Sequence, residues 1–261
     1  MPARALRIAM TKSSAFRTAA CAFALALSST VSAAPLTACV VDGNEPFSSS
    51  SGGARGLDVE VVQALSAKLG RELKLNWIVV PSRGGMGRAL KQSIQAGACD
   101  LFVGLPETEG GGEDLAERGL VASTPYVSVG YVLVAPTAGK VKSLSDLGKS
   151  RVGAVTATPA DLHLLAGGYN RTPYGNHRQL MEALVRGDIA AALVWAGRLA
   201  EMPPPDGIGV RQVLTEPSLT TRFVIASRRA DAALGSAVNE ALAALKAEGT
   251  LDAIARRAGF P

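Results

Sequence analysis

Few side chains in this sequence are of the kinds that drive covalent chemistry, and they do not assemble into a recognisable set. The only imidazoles are His163, inside an amphipathic stretch, and His177, near a helix start, and neither has an evident nucleophile beside it. No GxSxG, HExxH or phosphate-cradling glycine loop is present. Glu107, Glu109, Glu113 and Asp114 cluster in PETEGGGEDLAERG, but their spacing does not fit an EF-hand, and a solvated insertion is the simpler reading. The expectation is therefore a protein that binds rather than turns over, with no catalytic residue, metal or cofactor.

The remaining polar signals are structural or receptive. Cys39 and Cys99 each begin an apolar strand-like run, and in an oxidising compartment two such thiols form a disulfide. The alternative is a pair of buried free thiols. Thr158-Pro159-Ala160-Asp161 reads as an N-cap, a proline at the first helical position and an acid in the first turn. Such a helix start leaves backbone N–H groups free for an anion, or else simply faces solvent or protein.

The compartment is indicated by the first 33 residues. Arg4, Arg7, Lys12 and Arg17 precede an apolar run from Ala19 to Leu27, and Val31-Ser32-Ala33 offers small residues for cleavage, the pattern of a secretory signal peptide. The run is too short to span a bilayer, and Cys21 lacks the leucine three residues earlier that lipidation would require. Removing the four leader cations leaves 23 basic against 22 acidic residues, so charge gives no argument for nucleic-acid binding.

These residues must be positioned by an α/β framework. Leu36–Asp42, Glu72–Val80 and Ala98–Gly104 read as strands, and Leu57–Leu69 and Met86–Ala96 as helices, a βαβαβ unit with a parallel sheet. Residues 105–122 read as an exposed loop. The apolar, β-branched stretch from Ser123 to Pro136 reads as a strand crossing into a second unit, built from Arg151–Val155, a helix after Thr158, a helix after Asn176 with Gln179 completing a capping box, and Ala190–Trp195. Ser143–Gly148 reads as one capped helical turn. Val210–Leu214 is a further strand, Arg222–Ser227 crosses back, and Ala232–Lys246 and Thr250–Ala258 are amphipathic helices. The expected organisation is a signal peptide at 1–33, one lobe from 34–127 plus 222–261, and a second from 128–221, with a cleft between them.

Cys99-Asp100-Leu101-Phe102-Val103-Gly104, Ser123-Thr124-Pro125-Tyr126 before an apolar strand, Ser143-Leu144-Ser145-Asp146-Leu147 before Val152-Gly153, the segment Leu184–Ala192 and the C-terminal helix pair occur in the order seen in family-3 periplasmic solute-binding proteins. The chain resembles that family over nearly all of the sequence after the leader. The resemblance implies the periplasmic-binding-protein type II fold. Members that bind amino acids hold the ligand carboxylate with an arginine before the Ser-x-Pro-Tyr corner and the ammonium with an aspartate after the second-lobe strand. Here a glycine-rich insertion and Trp195 stand at those places, with Arg118 as a loose substitute for the arginine.

Cys39 with Cys99, the short VGLP segment and the Val194-Trp195 strand end are similar to the solute-binding-like J proteins that accompany PQQ methanol dehydrogenases. That resemblance implies a non-catalytic periplasmic accessory of a PQQ-dependent quinoprotein dehydrogenase, with the dehydrogenase or its cytochrome c as partner. The alternative is the soluble receptor of an ABC importer for a small polar solute, an amino acid or organic acid, with an ABC permease as partner; a dehydratase on the same scaffold is a third. Strand ends and helix starts are where open α/β sheets bind ligands, so the residues expected to line the cleft are Asn44, Glu45 and Phe47 after the first strand, Leu105 and Pro106 after the third, Arg118, Tyr126 at the corner, Thr158 and Trp195.

Overall fold

The computed structural model describes Met1 and residues 34–107 and 114–260. The expected signal peptide after Met1, and Glu109 and Glu113 of the acidic segment, lie outside the described residues.

The first unit contains β1 (Leu36–Val41), α1 (Leu57–Lys68), β2 (Leu73–Ile78), α2 (Gly85–Gln92) and β3 (Leu101–Glu107). Its strands are parallel in the order β2-β1-β3, with Cys39 opposite Asn76 on one side and Phe102 on the other. Parallel strands are covered on both faces, which is why β1 and β3 are almost wholly apolar and buried. Cys39 and Cys99 form a disulfide with Cα atoms 5.8 Å apart, fastening β1 to the entry of β3.

The third strand is longer than its hydrophobic run suggests. Leu105 and Pro106 are inside β3, opposite Val224 and Phe223, and do not follow it. The expected loop also ends early, because β4 (Leu120–Ala122) adds a short antiparallel pairing.

The second unit is β6 (Val152–Val155), α3 (Pro159–Ala166), β7 (Arg171–Tyr174), α4 (His177–Arg186) and β8 (Ala191–Trp195), reached through β5 (Val127–Pro136) and a capped 3₁₀ turn at Leu144–Leu147. Its parallel order, β7-β6-β8, repeats that of the first unit. The sequence reading missed β7 because Pro173 sits in the middle of it; the strand is at the sheet edge, where a missing N–H is tolerated. It also missed α5 (Ala196–Glu201), a helix of under two turns that follows Trp195 directly.

Two strands join the units. Residues Val127–Gly130 of β5 pair with β10 (Thr220–Arg228), whereas Tyr131–Val134 pair with β8, and β9 (Ile208–Val213) covers the other edge of β5. The exchange of partners falls between Gly130 and Tyr131. A Cβ at Gly130 would lie 2.7 Å from the Leu214 carbonyl oxygen, so only glycine admits that approach. After β10, α6 (Ala232–Ala247) and α7 (Thr250–Arg257) return to pack on α1 and close the first unit. Among the described residues no helix is long and apolar enough to cross a membrane.

Candidate ligand site

The C-terminal ends of β6, β7 and β8 open on a cavity of about 390 Å³. Thr158 and Asn176, the caps of α3 and α4, stand at its polar end, and Tyr131 and Trp195 form an aromatic wall. Parallel strands followed by helices expose exactly such a rim, because each helix start presents unpaired N–H groups above the strand end.

The local sequence fixes this rim. The Thr158 hydroxyl donates to the Val155 carbonyl at 2.7 Å and accepts from the Asp161 N–H at 3.3 Å, capping α3. Buried Asp161 in turn accepts from the Ala157 N–H and is paired with Arg171 of β7, which ties the turn to the neighbouring strand. Asn176 accepts from the Gln179 N–H at 3.0 Å, and the Gln179 side chain accepts from Gly175 rather than from the cap itself.

Tyr131 lies directly opposite Trp195 in the antiparallel pairing of β5 with β8, so both rings project from the same face. Burial pushes the Tyr131 phenol above its ordinary range, and a hydrogen bond with Thr158 pulls the other way. At the cavity's rim, burial and then the Arg198 guanidinium hold the His177 imidazole below its ordinary value, against the pull of Glu201. Arg198 is exposed and paired with Glu201 one turn along α5.

Of the residues expected to line the cleft, only Thr158 and Trp195 share this cavity. Glu45 borders a separate groove of about 300 Å³ facing α5, within 3.8 Å of Arg55. Asn44 is half-buried and its backbone closes a tight loop with Ser48. Phe47, Leu105 and Tyr126 are corrected: each is only 3% exposed and belongs to the core. Phe47 packs its ring 4.5 Å from Phe223 and 5.4 Å from Phe260. Tyr126 donates its hydroxyl to Asp58 at 2.5 Å, an interaction buried at the start of α1. Pro106 is exposed on β3, and Arg118 is held against α2 near the Gly87 carbonyl, so neither reaches the cavity. A further cavity of about 260 Å³, between β4, β10 and α6, contains none of the expected residues.

The sequence reading missed Tyr131, Asn176, His177 and Arg198 as site residues. Asn176 carried a cap signal, but without β7 no strand end could be assigned to it. Tyr131 is indistinguishable in sequence from the core residues of the crossing strand.

No curated protein matches the chain. Among solved structures, the second substrate-binding domain of a putative amino acid ABC transporter from Streptococcus pneumoniae is similar at TM-score 0.69 and 20% identity, covering 86% of this chain and 99% of that one. The unliganded, open L-cystine solute receptor of Neisseria gonorrhoeae also gives TM-score 0.69 at 20% identity, covering 87% and 93%. Substrate-binding domain 2 of Lactococcus lactis GlnP in its open conformation gives TM-score 0.67 at 21% identity, covering 84% and 92%. These likenesses establish the periplasmic-binding-protein type II-like α/β fold. A family model spans residues 36–259, nearly all of the described chain, and on that match this protein belongs to the bacterial extracellular solute-binding proteins, family 3.

Proposed function

We propose that this protein is the receptor of an ABC importer, acting outside the cytoplasm, and that it holds a small solute in the cavity at the ends of β6, β7 and β8. One lobe comprises residues 34–127 and 222–261, and the other residues 128–221. The observation that carries the reading is the cavity of about 390 Å³, walled by strand ends and helix starts at the place where open α/β sheets take ligands. The partner exchange within β5 supports a hinge about which the lobes close on the solute. The structural relatives named above are a substrate-binding domain of a putative amino acid ABC transporter, a second protein's substrate-binding domain and a solute receptor, which favours importer service. An accessory role beside a PQQ dehydrogenase has no named counterpart among them, and the importer reading takes its place as the main one.

A thermal-shift screen of amino acids, organic acids and other small polar solutes tests this. At least one class raises Tm, and small-angle scattering shows the particle contracting with that solute. A flat screen overturns it, and co-purification of a quinoprotein dehydrogenase then favours the accessory role.

A further inference from the structure

We infer that the solute class this cavity takes is small aromatic carboxylates that lack an ammonium group. The inference rests on the receptor reading above and sharpens it. Three independent features of the cavity lead to it.

The first is the fixed aromatic wall. The Trp195 indole lies over the first turn of α5, where a Cβ on Gly197 would come within 2.3 Å of the ring; the indole can occupy that place only because residue 197 has no side chain. Phe47 stacks beside it with centroids 6.0 Å apart and planes 27° from parallel. The ring is thus held before any ligand arrives, while its remaining surface lines the cavity with Tyr131 opposite it in the sheet. Two rings on adjacent strands favour a flat π-system over a saturated body of equal size.

The second is the sign of the polar groups. Arg198 and His177 border the cavity, and among the described residues no aspartate or glutamate lines it. Glu201, on the same helix as Arg198, is engaged with that guanidinium. The pair is solvent-exposed and weak, so the guanidinium can turn to a ligand carboxylate and bind it through two N–H groups. An ammonium buried here would find no carboxylate among the described lining residues, and the nearest one, Glu201, is already held by Arg198, so burying it would be penalised. A cationic guest drawn to the indole face is opposed by the like charge of Arg198.

The third is the arrangement of hydroxyl and amide groups. Thr158 and Asn176, at the starts of α3 and α4, line the cavity together with the apolar side chains of Leu180 and Leu193. A ligand with a charged group and a planar apolar body matches that mixed lining of hydrogen-bonding and apolar groups.

The test titrates the protein from residue 34 onward with 4-hydroxybenzoate, cyclohexanecarboxylate and L-phenylalanine by calorimetry and by tryptophan fluorescence. The chain has two tryptophans, so a Trp77→Phe background leaves Trp195 as the only reporter. The aromatic acid is expected to bind and quench Trp195, with the saturated acid about 5-fold weaker for want of ring stacking and the amino acid about 10-fold weaker or more. Trp195→Leu weakens the aromatic acid about 10-fold, Trp195→Phe recovers most of that, and Arg198→Gln lowers affinity for both acids alike. If Trp195→Leu fails to fold, Arg198→Gln, at an exposed position of α5, still reads the charged end. Phenylalanine binding as tightly as 4-hydroxybenzoate overturns the inference and leaves the receptor reading intact. So does failure of both acids when another solute from the screen binds. Failure of every solute overturns the receptor reading, and this inference with it.

Discussion

Asp58 is a fully buried carboxylate at the heart of the first unit, and its charge should make this fold less stable as pH rises. It is 1% exposed, and among the described residues its carboxylate accepts a side-chain hydrogen bond from the Tyr126 hydroxyl. Burial pushes its carboxyl up to about 7, and the Tyr126 bond offsets that in part. In the unfolded chain an aspartate titrates near 3.9, so the folded state holds a proton that the unfolded state has lost across roughly pH 4 to 7. Because the folded pKa is the higher one, this group's contribution is most favourable below pH 4, declines through the interval and is flat above 7. A displacement of about three pKa units corresponds to about 4 kcal/mol. Asp58 lies in the first turn of α1, where helix-end N–H groups favour an anion by up to about 1 kcal/mol. The net expected loss is therefore about 3 kcal/mol between pH 4 and pH 8. Asp58→Asn keeps an acceptor for Tyr126 and cannot ionise. Urea unfolding of both proteins at several pH values isolates this group, since every other titration is common to the two. The variant should match wild type near pH 4 and exceed it by about 3 kcal/mol at pH 8. A difference that does not change with pH, or one that favours wild type at pH 8, refutes the reasoning.

Other perturbations follow from single contacts. The Cys39–Cys99 bridge closes a loop with a sequence separation of 60, so the Cys39→Ala/Cys99→Ala protein should lose about 4 kcal/mol by chain-entropy reasoning, measured by denaturant unfolding with and without reductant. Thr158→Ala removes the α3 cap and should cost about 1 kcal/mol in the same assay, with the helix content by circular dichroism little changed. Gly130→Ala drives a methyl against the Leu214 carbonyl; the cost should be about 2 kcal/mol, a Tm fall on the order of 6 °C. A Gly130→Ala protein that melts with wild type would show that β5 and the segment after β9 can part without loss.

What the sequence made legible was decided by local chemistry. The caps at Thr158 and Asn176, the turn at Leu144–Leu147 and the adjacency of β1 and β3 follow from residue types that have one good use at each place. What stayed hidden depends on distant neighbours. The sequence does not reveal that Pro173 falls on a sheet edge, or that Leu105 and Pro106 remain in register with Val224 and Phe223. Phe47 and Tyr126 are aromatic residues beside expected strand ends, which suits a ligand wall and a core equally; Phe223, Phe260 and Asp58, remote in sequence, make them core. Of the site itself, Thr158 and Trp195 were readable. Arg198 was not, because it lies on a helix too short to show a period.

The path of β10 also sets an order of assembly. This strand runs between β3 and β5, yet it is made nearly last, so β3 has an open edge until most of the chain exists. The unit built on β5 to β9 is contiguous in sequence and has its last strand by Val213, before β10 begins at Thr220. A nascent polypeptide emerging amino end first would thus close its later-encoded half before its earlier one. The waiting β1–β3 sheet, apolar and unpaired along one side, is the surface a holding chaperone would meet.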